Sequence, residues 1–322
     1  TTESLEITNL GNQNLVIEKV SGLSTPFEVV SYPTAAIAKG TKASIEVQYS
    51  PTEEGYWKQD LVIVSNAGTH VISVKALCSK SYTVEVPVAG QLSSLVQDAN
   101  SDSITIMGYL NESDFRFMKN NMPNLKYLNL SATSITGNRI PNYALQSKKT
   151  LCEVVLPYTL KVVGYQAFDQ CSALQRIVFS EGLEQIEQGG FSKCNISGEL
   201  VLPDSLVVLG PAAFDESPLT KIVFPNRLKE IGDVAFRSCT NLQDVTLPKN
   251  LERIGSSAFS DCFRLHKVTL KGIVPPTLSG DSFNYTKVFF VPQGAGVAYS
   301  SAAYWKSLVI IDGDTPVKVE VT

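Results

Sequence analysis

Histidine is nearly missing from this chain, with two in 322 residues, His70 and His266. They fall far apart, and neither has a cysteine or carboxylate at ligand spacing nearby, which speaks against a histidine metal centre. H-E-x-x-H, G-x-S-x-G and a phosphate loop ending in Gly-Lys-Ser/Thr are also absent. Three common signatures of metalloproteases, serine hydrolases and nucleotide-binding enzymes are therefore not found. An excess of positive charge is lacking too. Lys and Arg number 27 against 31 Asp and Glu, a net charge of -4, so there is no basic footprint for nucleic acid or anionic lipid. No apolar run approaches the roughly 20 residues of a membrane helix. With 43% hydrophobic and 18% charged residues, the composition is that of a folded globular protein. No signal peptide is visible, yet Leu5, Ile7 and Leu10 read as the inside of a strand. The expectation is a processed or trimmed N-terminus whose export signal is already gone.

What the chain does have is repetition. LQRIVFSEGLEQIEQGGFSKC (174–194) aligns without a gap on LTKIVFPNRLKEIGDVAFRSC (219–239), keeping the apolar residues, the Phe and the Cys in register. The Phe recurs at Phe168, Phe191, Phe214, Phe236 and Phe259, steps of 23, 23, 22 and 23 residues by subtraction. A fixed period of that length means a solenoid. Each unit reads L-x-x-I/V-x-L/F-P, then L-x-x-I-G-x-x-A-F-x-x-C. The first half alternates like a strand with one buried face. Pro157, Pro203, Pro225, Pro248 and Pro292 follow the strands, where a residue without an N–H suits departure from a ladder. The Gly at 164, 210, 232 and 255 is read as allowing a tight bend that turns the Ala-Phe pair inward. No single unit can bury its Ile, Phe and Cys alone, so stacking must do it.

These residues resemble the BspA-type leucine-rich repeat family of bacterial surface proteins, whose units carry the same "LP, then IG-x-x-AF-x-x-C" pattern. The likeness covers about two thirds of the chain. It departs at Glu187 for Gly, Gly190 for Ala and Ser217 for Cys. The resemblance implies an exported protein at the cell surface or outside the cell that adheres to host or microbial partners. It also implies an opening cap over 83–122, where "AGQL…GYLNESDF…MPNLKYLNLS" matches, and a closing cap near 286–311. Ser113 and Asp114 are read as the start of a helix in the first cap, and Tyr304 and Trp305 as sealing the second. Rungs are expected to begin near Leu125, Leu151, Leu174, Leu200, Leu219, Leu242 and Leu265.

Residues 1–80 differ. LVIEKV (15–20), ASIEVQY (43–49), DLVIVS (60–65) and HVISVKA (70–76) alternate between Gly, Asn, Pro and Thr clusters, which predicts an antiparallel β-sandwich. The phrases ITNLGNQNLVI, YSPTEEGYW and VSNAG resemble immunoglobulin-like modules that precede bacterial surface domains. Trp57 shares parity with Leu61 and Ile63 and is read as core rather than a sugar platform. The fold class is thus an immunoglobulin-like sandwich (1–80) followed by a capped solenoid of parallel strands (83–322), joined by a short, restrained linker near Ser79 to Tyr82.

Chemistry is sparse. Cys171, Cys194, Cys239 and Cys262 share one repeat position and are read as buried free thiols, with disulfides 171/194 or 239/262 as the lesser alternative. Asp312-Gly-Asp314 is read as a turn rather than a calcium loop. No cofactor, metal or catalytic residue is expected. On the outward strand positions, Glu153, Arg176, Glu199, Lys221, Asp244 and Lys267 form a column of alternating sign, beside Val155, Val178, Val201, Val223, Thr246 and Thr269. Opposite charges one rung apart should pair and neutralise each other, and cations flanking Glu199 should lower carboxylate pKa values, which disfavours hydrolysis. The exposed valines suit a binding face. Tyr127 and Asn129 replace charge and Val at its start. Candidate partner-binding residues are Tyr127, Asn129, Val155, Arg176, Val178, Val201, Lys221 and Val223. The expected partner of this non-enzymatic, monomeric protein is a host or microbial surface or matrix protein. The alternative is glycan binding within a polysaccharide-capture system, for which few exposed aromatics are expected beyond Tyr127 and Tyr158.

Overall fold

The computed structural model describes residues 2–50, 55–78, 82–286 and 288–313. The chain divides after residue 80 into two compact units. In the first, strands Thr2–Thr8, Lys42–Tyr49 and Phe27–Ser31 lie side by side in that order as one antiparallel sheet. Ile17–Ser21, Gly55–Ser65 and Gly68–Cys78 form another. Ile17, Phe27, Ile37, Ile45, Val47, Leu61 and Ile63 make one core from both sheets. Alternation explains the choice, since Leu61 and Ile63 are buried while Asp60 and Val62 are not. Trp57 packs on this core, as its parity requires.

The second unit opens with strand Tyr82–Val86, helix α1 (Leu92–Leu95), strand Ser103–Leu110 and helix α2 (Glu112–Asn121). The start of α2 differs in detail. Asn111, not Ser113, is its N-cap, accepting from the Ser113 N–H while Asp114 reaches back to the Asn111 N–H at 2.8 Å. This capping box suits α2 because the Asp114 carboxylate also accepts from the Gly90 and Leu92 N–H groups, tying the cap's loop to its helix.

From Tyr127 onward the chain coils. Each coil contributes one strand to a first face: Tyr127–Ile135, Glu153–Val155, Arg176–Val178, Gly198–Val201, Leu219–Val223, Asp244–Leu247 and Lys267–Leu270, extended by Val288–Val291 and Val309–Asp312. All pairs here are parallel, in three hydrogen-bonded sheets interrupted after Val178 and after Val223. A second face, not anticipated, is a seven-stranded parallel sheet of two-residue strands running from Arg139–Ile140 to Thr277–Leu278. The Ala-Phe segments form a third stack. There, for example, the N–H groups of Gln166, Phe168 and Gln170 donate to the carbonyls of Gln188, Gly190 and Ser192 on the next coil.

The glycine reading needs correction. Gly164, Gly210, Gly232 and Gly255 do not have positive φ. They are needed for close stacking: a β-carbon on Gly232 would lie 2.5 Å from the carbonyl carbon of Gly210, and one on Gly164 would strike the Ile140 carbonyl oxygen. The left-handed residues come two and six positions later, such as Ala212 and Glu216 (φ 53° and 59°) or Val234 and Ser238 (φ 50° and 59°).

Inside, Phe168, Phe191, Phe214, Phe236 and Phe259 are buried and stacked at 5.0, 5.5, 5.7 and 5.3 Å between ring centroids. Phe283 adds a rung at 5.1 Å that the sequence reading passed over. Trp305 closes the end of the stack, fully buried, donating Nε1–H to the Pro276 carbonyl at 2.7 Å. Its partner is not Tyr304, which is 55% exposed, but Tyr299, whose ring meets Trp305 edge-on at 5.1 Å. One rung also starts differently. Leu200 pairs with Ile222 as a mid-strand residue, and Ile196, buried, fills the core ahead of it. The register slips by one residue at Gly198 (φ 79°), which pairs with Leu219 while Glu199 pairs with Lys221; the first break in the sheet lies on the other side of this strand. Residues 79–81 of the expected linker and Asp314 lie outside the described residues.

Candidate functional site

The candidate face is built by strand register. Tyr127, Glu153 and Arg176 lie abreast, as do Asn129, Val155 and Val178; one break further on, Glu199 faces Lys221 and Val201 faces Val223. The predicted residues therefore fall into two groups, Tyr127, Asn129, Val155, Arg176 and Val178 on a five-stranded sheet and Val201, Lys221 and Val223 on a two-stranded one. A shallow groove of about 360 Å³ crosses the break, lined by Arg176, Val178 and Phe179 on one side and Val201, Pro203 and Asp204 on the other. The valines are more exposed past the break. Val155 and Val178 are half-buried, whereas Val201 is 58% and Val223 38% exposed. Asn129 is already engaged, its Oδ1 accepting from the Ser131 N–H at 2.9 Å, so its carbonyl is committed to a local turn.

The charge column pairs only in part. Arg176 approaches Glu153 at 3.6 Å and Lys221 meets Glu199 at 2.8 Å. Lys267, expected to pair with Asp244, instead sits 5.0 Å from the centroid of the Phe290 ring, a cation–π contact. Asp244 lies 3.8 Å from His266 Nε2. The electrostatic expectation also needs revision at Glu153. Burial raises its pKa above the ordinary carboxylate value, and Arg176 only offsets this. The reason is that its side chain is only 15% exposed, so desolvation outweighs a 3.6 Å cation that is itself half in solvent.

The cysteines are structural in arrangement. Cys171, Cys194, Cys239 and Cys262 are free and buried, each thiol donating to a carbonyl of the preceding coil: Leu145, Phe168, Phe214 and Phe236. Burial pushes Cys171 and Cys262 up to about 12 and Cys194 and Cys239 well above their ordinary value. Among the described residues no group of three or more His, Cys, Asp or Glu could hold a metal ion, and no helix is long and apolar enough to cross a membrane. Asp312 accepts from the Gly294 N–H at 2.7 Å, tying the end of the last strand to the loop after Pro292.

Exposed aromatics are more numerous than expected. Tyr109, Tyr143, Tyr158, Phe263, Tyr285 and Tyr304 are all at least 45% exposed. Tyr158 was expected; Tyr143, Phe263, Tyr285 and Tyr304 sit in turns and bends where no alternation applies, and Tyr109 lies in the strand Ser103–Leu110.

Comparison with known proteins matches the region described as BspA type leucine rich repeat in six copies, over residues 98–197, 138–262 and 164–288, together more than half of the chain. Residues 1–77 match a family described as a protein of unknown function, DUF1573. No curated protein matches. Among solved structures, a leucine-rich repeat protein from Bacteroides ovatus shares 16% identity over 75% of this chain and 72% of that one, with TM-score 0.42. The leucine rich repeat protein of T. pallidum shares 29% identity over 48% of this chain and 66% of that one, with TM-score 0.29. A leucine rich cell surface protein from Faecalibacterium prausnitzii shares 14% over 80% and 94%, with TM-score 0.30.

Proposed function

The chain belongs to the BspA type leucine rich repeat family, and from that premise we propose a non-enzymatic binding protein, exported to the cell surface or beyond, that holds a protein partner on its first strand face. The observation that carries this is the groove at the sheet break. There the Val178 and Val201 side chains line one surface beside Arg176, and the neighbouring Lys221–Glu199 ion pair leaves Val201 and Val223 the exposed apolar ground. An exposed apolar strip rimmed by charge is the usual composition of a protein-binding patch. Tyr127, Asn129, Val155, Arg176, Val178, Val201, Lys221 and Val223 are the contact residues of this reading, with Asn129 contributing its amide nitrogen.

In the same reading residues 1–80 are an immunoglobulin-like sandwich that spaces the face from the envelope, residues 83–322 are the solenoid of about 23-residue repeats with caps at 83–122 and near 286–311, and the protein acts as a monomer. Adhesion to a host or microbial surface or matrix protein is the biological role it fits. Glycan capture is the second reading, favoured by the exposed Tyr143, whose ring meets that of Tyr165 edge-on at 5.2 Å. Arrays of matrix proteins and of glycans, probed with the full chain, separate the two: the first reading expects protein hits, the second glycan hits that Tyr143→Ala removes.

A further inference from the structure

A different surface carries a further inference. After each first-face strand the chain turns a corner, and the corner residues stack from coil to coil: the Asn250 side chain donates to the Asn226 carbonyl at 2.8 Å, and the Lys249 carbonyl oxygen stands 2.9 Å from where a β-carbon of Gly272 would be. The charges on this corner change sign along the solenoid. The earlier coils present Glu181 and Asp204, the later ones Arg227, Lys249 and Lys271, all exposed. None of these five has an ion pair among the described residues, whereas the adjoining column pairs internally, Lys161 with Glu184 and Lys229 with Glu252, both at 2.8 Å. A chain with net charge -4 thus keeps a local cluster of unpaired cations.

That cluster borders a groove of about 780 Å³. Val207 and Leu251 line it, Val274 and Pro275 add apolar surface, and Arg227 and Lys249 supply unpaired positive charge beside the Lys229–Glu252 pair, which also lines it and neutralises itself. Ile273 and Val274 stand out at 69% and 72% exposure. We propose that this corner groove is a second docking surface, and that its occupant is an extended acidic segment of a protein partner, carboxylates over Arg227 and Lys249 and an apolar side chain against Val274 and Pro275. Charge complementarity selects the carboxylates, and the Arg227 guanidinium can donate to both oxygens of one of them. The apolar wall favours a peptide over an anionic glycan, which has no large apolar side chain to place there. Asp204 and Glu181 fix the direction, since they repel a segment that continues its acidic run toward the earlier coils.

The test uses the full chain and a fluorescein-labelled peptide in which aspartates alternate with leucines, followed by fluorescence anisotropy at low salt. Binding should weaken about tenfold in Arg227→Glu, Lys249→Glu, a loss of attraction plus added repulsion at two sites. It should also weaken in Val274→Asp, fall with added salt, and vanish for the peptide with asparagine in place of aspartate. Val178→Glu, Val201→Glu should leave it unchanged, so this surface and the strand face stand or fall separately. Circular dichroism melts of the variants, at exposed positions except for the half-buried Val178, check that each is folded. Absent binding, or binding equal in the double charge variant, overturns the proposal. Tighter binding of polygalacturonate oligomers would overturn the peptide occupant in favour of a glycan, and a dimer in sedimentation that the charge variant dissociates would assign the groove to a second copy.

Discussion

The Cα of Gly232 is packed so closely on Gly210 of the preceding coil that a β-carbon would stand 2.5 Å from the Gly210 carbonyl carbon. Real β-carbons do not come that near backbone, and two successive coils have no flexible side-chain end there to give way. Gly232→Ala is therefore expected to cost about 2–3 kcal/mol, at the upper part of the overpacking range. Gly294→Ala, where φ is 85° and the space is open, should cost only about 1–2 kcal/mol for the left-handed backbone. Urea unfolding of both variants checks the order. A cost at Gly232 no greater than that at Gly294 would contradict the close-stacking account.

Ser217 stands where other coils have a buried Cys, and its Oγ is buried without a hydrogen-bond partner among the described residues. A thiol is a weaker donor and tolerates an apolar site better than a hydroxyl does. Ser217→Cys should stabilise the protein by roughly 1 kcal/mol, a Tm rise of about 2–4 °C for a unit of this size. In the same protein Cys171, Cys194, Cys239 and Cys262 should resist alkylation at pH 8 until unfolding, because burial keeps them protonated. Peptide mass mapping after iodoacetamide reads this out. Fast labelling of any of the four in the native state would contradict the ladder.

Glu153 sets a pH dependence. Its folded pKa is raised by burial, so the folded state favours the protonated acid. Its stability contribution is present below the ordinary carboxylate range and lost as pH rises through the raised value. Glu153→Gln should therefore be more stable than wild type near pH 7, and the gap should close on acidification. Tm measured from about pH 4 to 8 tests it. A variant less stable at pH 7 would mean that the Arg176 pairing outweighs desolvation.

The Glu199–Lys221 pair should matter little. At 2.8 Å but with side chains 47% and 63% exposed, it is screened by water. A double-mutant cycle to Ala should give a coupling energy under about 1 kcal/mol that shrinks further in salt.

Much of this architecture could be read from the residues. The ladder of Phe168, Phe191, Phe214, Phe236 and Phe259 and the Cys position were visible because a solenoid repeats one set of core contacts, which imprints one spacing on the sequence. The two-residue strands such as Gln185–Ile186 were not, since two residues carry no period. The role of Gly232 was misread because bend and close approach both call for glycine, and only the neighbouring coil distinguishes them. The Lys267–Phe290 contact escaped for a related reason: Phe290 lies on strand Val288–Val291, past the last unit of the repeat that aligned Lys267 with Asp244. Of the candidate face, the column membership followed from parity, but the break between Val178 and Val201 left no mark on the spacing, which keeps the 23-residue step there.

The most direct test of the central claim, a protein partner held on the first strand face, is the dissociation constant of the full chain for a matrix protein captured on the array, measured for three forms. The account predicts that Val178→Glu, Val201→Glu weakens binding by tenfold or more while Val297→Glu, on the 80% exposed Val297 of the closing cap, leaves it unchanged. Equal affinity of wild type and the strand-face variant would contradict it.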